Sequence, residues 1–119
     1  MRRAAAAIAA ACLAAAAPAA ATVPAPTRIQ VTAKEFYFVL SRTHVKAGPA
    51  IIELVNYGED PHDLMIQRVG AKHIAGIPEV QPDDFVDLNI NLVPGTYNLW
   101  CSIANHRQLG MQAKIVVTR

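Results

Sequence analysis

Near the end of the chain Cys101, His106 and Met111 follow one another with four residues between successive members, in C-S-I-A-N-H-R-Q-L-G-M. A β-type run leads into this segment over Thr96–Cys101 and another leads out over Gln112–Thr118. The segment therefore reads as a loop between two strands, short enough to fold around one ion. His62, in N-Y-G-E-D-P-H-D-L, opens a different β run and reaches the same point from elsewhere. A thiolate, two imidazoles and a thioether form a soft nitrogen–sulfur set that suits copper, with three close ligands and one long axial sulfur.

These residues, with the P-G-T-Y-N-L-W-C run before the cysteine and the G-M-Q-A-K-I-V-V strand after it, resemble the cupredoxins, the small blue (type 1) copper proteins. The match extends from Arg28 to Thr118. The C-x4-H-x4-M loop is more similar to the rusticyanin and sulfocyanin branch than to plastocyanin, whose loop is tighter. The resemblance implies a cupredoxin-like Greek-key β-sandwich holding one type 1 copper ion through His62, Cys101, His106 and Met111. It also implies single-electron shuttling between redox partners, and so a protein that is not an enzyme. Protein partners are expected to dock near His106, on an apolar collar of Ile103, Ala104 and Leu109 with Arg107 at its rim. The same collar residues read equally as plain packing. An alternative from the binding class is a periplasmic copper carrier or store; the methionine- or histidine-rich loops expected of one are absent. An oxidase or nitrite-reductase fragment would need a second copper site and another domain.

The start of the chain belongs to export. Arg2 and Arg3 form a charged start, Ala4–Ala17 an apolar run and Ala19-Ala20-Ala21 a small-residue cleavage site, the signature of a secretory signal peptide over residues 1–21. The run is short of the ~20 residues of a membrane span, so membrane attachment is expected only if the leader is retained. Residues 22–27 are a Pro-rich tail, and residues 28–119 make one domain. The protein is expected to be exported, periplasmic or extracellular, and monomeric.

Charge follows the leader. Without Arg2 and Arg3 the eleven basic residues fall to nine, equal to the nine acidic ones. Nucleic-acid binding, which wants a basic face, is not expected. Cys12 also goes with the leader, in a poor lipoprotein cleavage context. Cys101 is then alone in an oxidising compartment, where cysteines usually pair. A lone exported thiol is a dimer bridge, a reactive nucleophile or a sequestered metal ligand, and His106 and Met111 beside it select the third.

Short β-type runs cover the domain at Arg28–Ala33, Phe36–Leu40, Ala50–Asn56, His62–Val69, Phe85–Leu92, Thr96–Cys101 and Gln112–Thr118. Turn residues separate them, as in Ala47-Gly48-Pro49 and Val93-Pro94-Gly95-Thr96. About seven to eight strands and no strongly amphipathic helix predict an all-β sandwich. Gly70–Gln81, with Gly76 and Pro78, reads as a long excursion between sheets with a short helical turn.

Period two places Tyr97, Leu99 and Cys101 on one inward row and turns Trp100 outward. Trp100 is either a half-covered surface aromatic or, as in many cupredoxins, a second electron path beside the ligand. Met65 lies on the face opposite His62 and reads as core. Met111 is axial ligand or core, with Gln108 and Gln112 as alternative axial oxygens. His44 and His73 read as surface residues. Asp63 either accepts from Ser102, tying the two ligand loops and favouring Cu(II), or is a solvated acid at a loop edge.

Overall fold

The computed structural model describes residues 3–20 and 22–119. Arg2 of the charged start and Ala21 of the expected cleavage site lie outside the described residues. Residues 3–20 take no regular secondary structure. Among the described residues no helix is long and apolar enough to cross a membrane.

The domain is all-β apart from one short helical turn. Its strands are β1 (Thr27–Lys34), β2 (Tyr37–Leu40), β3 (His44–Lys46), β4 (Gly48–Asn56), β5 (His62–Arg68), β6 (Ala75–Val80), β7 (Phe85–Leu92), β8 (Gly95–Trp100) and β9 (Gln112–Thr118). The turn α1 (His106–Leu109) lies between β8 and β9. A four-stranded sheet runs β2-β1-β4-β7 and a five-stranded sheet runs β3-β9-β8-β5-β6. β1 pairs parallel with β4, and β3 parallel with β9; the other ladders are antiparallel. The crossing of the chain between sheets gives the sandwich its core.

That core is built by alternation. Ile29, Val31 and Ala33 of β1 and Ala50, Ile52 and Leu54 of β4 face Leu64 and Ile66 of β5, Tyr97 and Leu99 of β8, and Ile115 and Val117 of β9. Each is buried, and each stands two residues from the next on its strand, so one face of every inner strand is removed from water. Tyr97 keeps its hydroxyl satisfied by accepting from the Val93 N–H (3.0 Å) and donating to the Val93 carbonyl (3.3 Å), which closes the β7–β8 turn.

Two strands differ from the sequence expectation. β6 occupies part of the stretch read as an irregular excursion, and β3 falls in a segment read as connection. They are the two edges of the five-stranded sheet. An edge strand needs a ladder on one side only, so β6 tolerates Gly76 and Pro78, residues that a central strand would exclude. β3 is only three residues long, too short to show a period. Among the described residues nine strands result, against the seven or eight expected.

Candidate metal centre

The site lies at one end of the sandwich, where the β4–β5 connection, the β1–β2 turn and the β8–β9 loop converge. Asn56 organises the first of these. It is fully buried at the end of β4. Its side-chain amide donates to the carbonyls of Asp60 (2.8 Å) and Val80 (2.9 Å), and its Oδ1 accepts from the Gly58 N–H (2.8 Å). The bonds to Asp60 and Gly58 fold residues 57–61 into a compact turn, the Val80 bond ties it to the end of β6, and the turn delivers His62 to the first position of β5. The pairing of β5 with β6 shifts register between His62 and Leu64. The irregularity fits the burial of His62, Asp63 and Leu64 in succession, which strict alternation would forbid.

The β8–β9 loop closes on itself through the backbone. The Cys101 N–H donates to the Met111 carbonyl (3.1 Å) and the Met111 N–H to the His106 carbonyl (3.1 Å). The equal spacing in the sequence thus becomes a loop whose two ends touch, with α1 carrying His106 between them. Gly110 has φ +127°, and a Cβ there would stand 2.9 Å from the Phe36 carbonyl oxygen. Both the left-handed backbone and the close approach of the β1–β2 turn require glycine.

His62, Cys101 and His106 are brought together, each buried, with one potential donor atom apiece, all within 4.8 Å of one another. Cys101 Sγ lies 3.6 Å from His106 Nδ1. Three donors arranged trigonally, each about 2.0–2.3 Å from a shared ion, stand roughly 3.5–4 Å apart, so the cluster already has nearly the spacing of a bound set. The two imidazole rings are edge-on at 5.1 Å between centroids. His62 and Cys101 are 0% exposed and His106 is 7% exposed, so His106 is the member of the set nearest to solvent.

One atom tests the fit of an ion directly. His62 Nδ1 is a buried side-chain polar atom with no hydrogen-bond partner among the described residues. Such an orphan costs free energy unless something fills its lone pair. A soft cation between His62, Cys101 and His106 would do so, and the mixed nitrogen–thiolate donor set suits one type 1 copper ion.

Burial pushes the Cys101 thiol above its ordinary range, against the backbone N–H groups of Asp63 and Ile103, which favour the thiolate. A bound cation would tip this balance, since it takes the sulfur in its deprotonated form. Asp63 accepts from the Ser102 N–H (2.6 Å) and from the Ser102 hydroxyl. The carboxylate therefore ties the two ligand-bearing segments, one of the two readings that the sequence left open.

Residues that the sequence did not single out complete the surroundings. Glu35, in the β1–β2 turn, accepts through Oε1 from the Asp60 N–H (2.7 Å) and the Glu59 N–H (2.8 Å), and the same oxygen lies 3.0 Å from His62 Nε2. The Asp60 N–H above all, with His62 and the Glu59 N–H adding to it, holds the carboxyl at about 2 despite partial desolvation. Phe36 packs its ring against His106 at 4.8 Å between centroids. Local spacing carries no trace of either contact, because both join residues far apart in the chain.

The remaining candidates fall as follows. Met111 is fully buried. Gln108 and Gln112 are exposed. Met65 is half-buried on the outer face of β5, where a Cβ on Gly76 would meet its side chain, so it is not the core residue expected. Leu64 and Ile66 on either side of it face the opposite sheet, so alternation turns Met65 to the outer face, which no second layer covers. His44 and His73 are exposed, as expected, although His44 does open a short strand. Trp100 is half-buried, with the Arg107 guanidinium 4.6 Å above its ring. Arg107 lies over the aromatic next to Cys101. Leu109 and Ala104 are exposed, whereas Ile103 is half-buried against the core.

A two-sheet Greek-key sandwich with a buried cysteine and two histidines at one end defines a class of small metal-binding β-proteins. The chain belongs to the cupredoxin-like domain family, whose model matches residues 3–117. No curated protein matches the sequence. Among solved structures, the fold is similar to dithionite-reduced auracyanin from Roseiflexus castenholzii, at 16% identity and TM-score 0.66, over 81% of this chain and 100% of that one. It is similar to auracyanin A, a "blue" copper protein from Chloroflexus aurantiacus, at 20% identity and TM-score 0.66, over 79% and 100%. Reduced rusticyanin gives 21% identity and TM-score 0.62, over 80% and 82%. At these identities the likeness is one of fold.

Proposed function

We propose that this protein is an exported one-electron shuttle that holds a single copper ion through His62 Nδ1, Cys101 Sγ and His106 Nδ1, with Met111 as the axial donor. The observation that carries the reading is the unpartnered, buried His62 Nδ1 beside Cys101 and His106. A copper ion held there would alternate between Cu(II) and Cu(I), taking up one electron and giving it away. The chain's part is to keep the donors in one arrangement for both states. The backbone bonds that close the loop, the Asp63–Ser102 tie and the Asn56 bonds each limit movement of a ligand-bearing segment, which keeps reorganisation small. Burial of His62 and Cys101 excludes water from the donors.

His106 is the route for electrons, being the donor nearest the surface. Leu109 and Ala104 supply an exposed apolar rim for a redox partner, a contact of the small and transient kind. The C-x4-H-x4-M loop supports a place near the rusticyanin and sulfocyanin branch. The charged start, apolar run and small-residue cleavage site over residues 1–21 support export.

Titration of the purified domain with Cu(II) tests the reading. One equivalent should bind and raise an intense visible sulfur-to-copper band. Stopped-flow oxidation by a small-molecule acceptor should be fast, while transfer of the ion to a chelator should be slow. Rapid loss of copper with sluggish electron exchange would replace the shuttle by a carrier.

A further inference from the structure

We infer that Glu35 is a positioning residue of the metal centre: its carboxylate fixes which ring nitrogen of His62 faces the ion and lowers the reduction potential of the copper held there. The inference rests on the copper reading above and extends it to a residue outside the ligand set. His62 is completely buried and has two ring nitrogens. Nε2 lies 3.0 Å from Glu35 Oε1, and Nδ1 has no hydrogen-bond partner among the described residues. An ionised carboxylate can only accept, so the proton belongs on Nε2 and the lone pair of Nδ1 is presented to Cys101 and His106. The same oxygen is pinned by the N–H groups of Glu59 and Asp60, so it is not free to swing away from the ring.

The fold makes room for this arrangement at both ends of the turn. A Cβ at Gly58 would run into the Glu35 carboxylate, and one at Gly110 would crowd the Phe36 carbonyl. Each ligand-bearing loop thus has a glycine where it meets the turn. Glu35 reaches one histidine and the neighbouring Phe36 packs on the other. Two consecutive residues of one turn therefore brace both imidazoles.

The effect on potential follows from charge. The carboxylate stands one imidazole ring away from the ion's position, and its side chain is only 26% exposed, so solvent screens it incompletely. A negative charge there favours the doubly charged ion over the singly charged one, and its pull on the Nε2 proton makes Nδ1 a better donor to Cu(II).

Glu35→Gln and Glu35→Leu test it, with two readouts. In nitrogen-15 spectra of the metal-free protein at neutral pH, wild type should hold His62 with its proton on Nε2. Glu35→Gln should keep that tautomer, since its side-chain oxygen still accepts, and Glu35→Leu should lose it. In the copper-loaded protein, Glu35→Gln should retain the visible band while voltammetry gives a higher potential than wild type. An unchanged potential in Glu35→Gln would overturn the electrostatic part, and a His62 proton on Nδ1 in wild type would overturn the positioning part. A wild-type protein that binds no copper would sink the copper reading instead, and the metal-free spectra would still decide the role of Glu35 on His62.

Discussion

Asp63 and Ser102 are joined twice, the carboxylate of one accepting from both the backbone N–H and the hydroxyl of the other. The first residue after His62 is thereby fastened to the first residue after Cys101. Hydrogen bonds to a charged group contribute about 1.5–3 kcal/mol each, so the tie is a sizeable part of what holds the two segments in register. Asp63→Ala should lower the stability of the metal-free protein by about 2–3 kcal/mol in chemical denaturation. Asp63→Asn, which retains one acceptor, should lose less. Equal losses in the two variants would mean that the tie is not what the carboxylate contributes.

Cys101→Ser should abolish the visible band while leaving the fold intact. A hydroxyl of nearly the same size fits the buried position but cannot supply the soft, polarisable donor. Circular dichroism beside the visible spectrum separates the two effects. A serine variant that remains blue would remove Cys101 from the ligand set.

Met111→Leu tests the axial role. Leu and Met have similar volume, so the stability cost should stay below about 1.5 kcal/mol. With the thioether gone, Cu(II) loses its weak fourth donor and the potential should rise, with copper still bound by His62, Cys101 and His106. An unaltered potential would make Met111 a packing residue of the loop.

Leu109→Lys should slow electron exchange with a partner protein while leaving spectrum and copper affinity nearly unchanged, because Leu109 is half exposed and touches solvent. A charge placed there must be desolvated in the encounter. Ile103 is a poorer probe, since it packs against the core. Arg107→Glu should change the salt dependence of the same rate. An exchange rate indifferent to Leu109→Lys would place docking elsewhere on the surface.

How much of this was legible depends on how far apart the interacting residues stand. Cys101 and His106 announce themselves because their spacing is local and their donor chemistry is uncommon in combination. His62 was identifiable from the turn before it and the strand after it. The inward row of Tyr97, Leu99 and Cys101 followed from period two alone. Glu35, Phe36 and Asn56 were not legible. Glu35 and Phe36 act on histidines far along the chain, and Asn56 joins a local turn to the end of β6; no local period encodes these contacts, and each residue type has many ordinary uses. β3 and β6 were missed because edge strands are paired on one side and so tolerate short length, glycine and proline. Met65 departs from its expectation because the face opposite His62 is the outer face of the sheet, with no second layer packed on it.

β1 runs for eight residues between the tail and Glu35, and at about 3.3 Å per residue that is roughly 26 Å. The tail at residues 22–26 therefore leaves the sandwich at one pole, and the His62–Cys101–His106 cluster sits at the other. A body attached to the tail would lie at the pole away from His106 and leave that end open. A tether there would limit how far the molecule roams without blocking the approach of a partner. Its length, set by the five residues from Thr22 to Pro26, can change without disturbing the site.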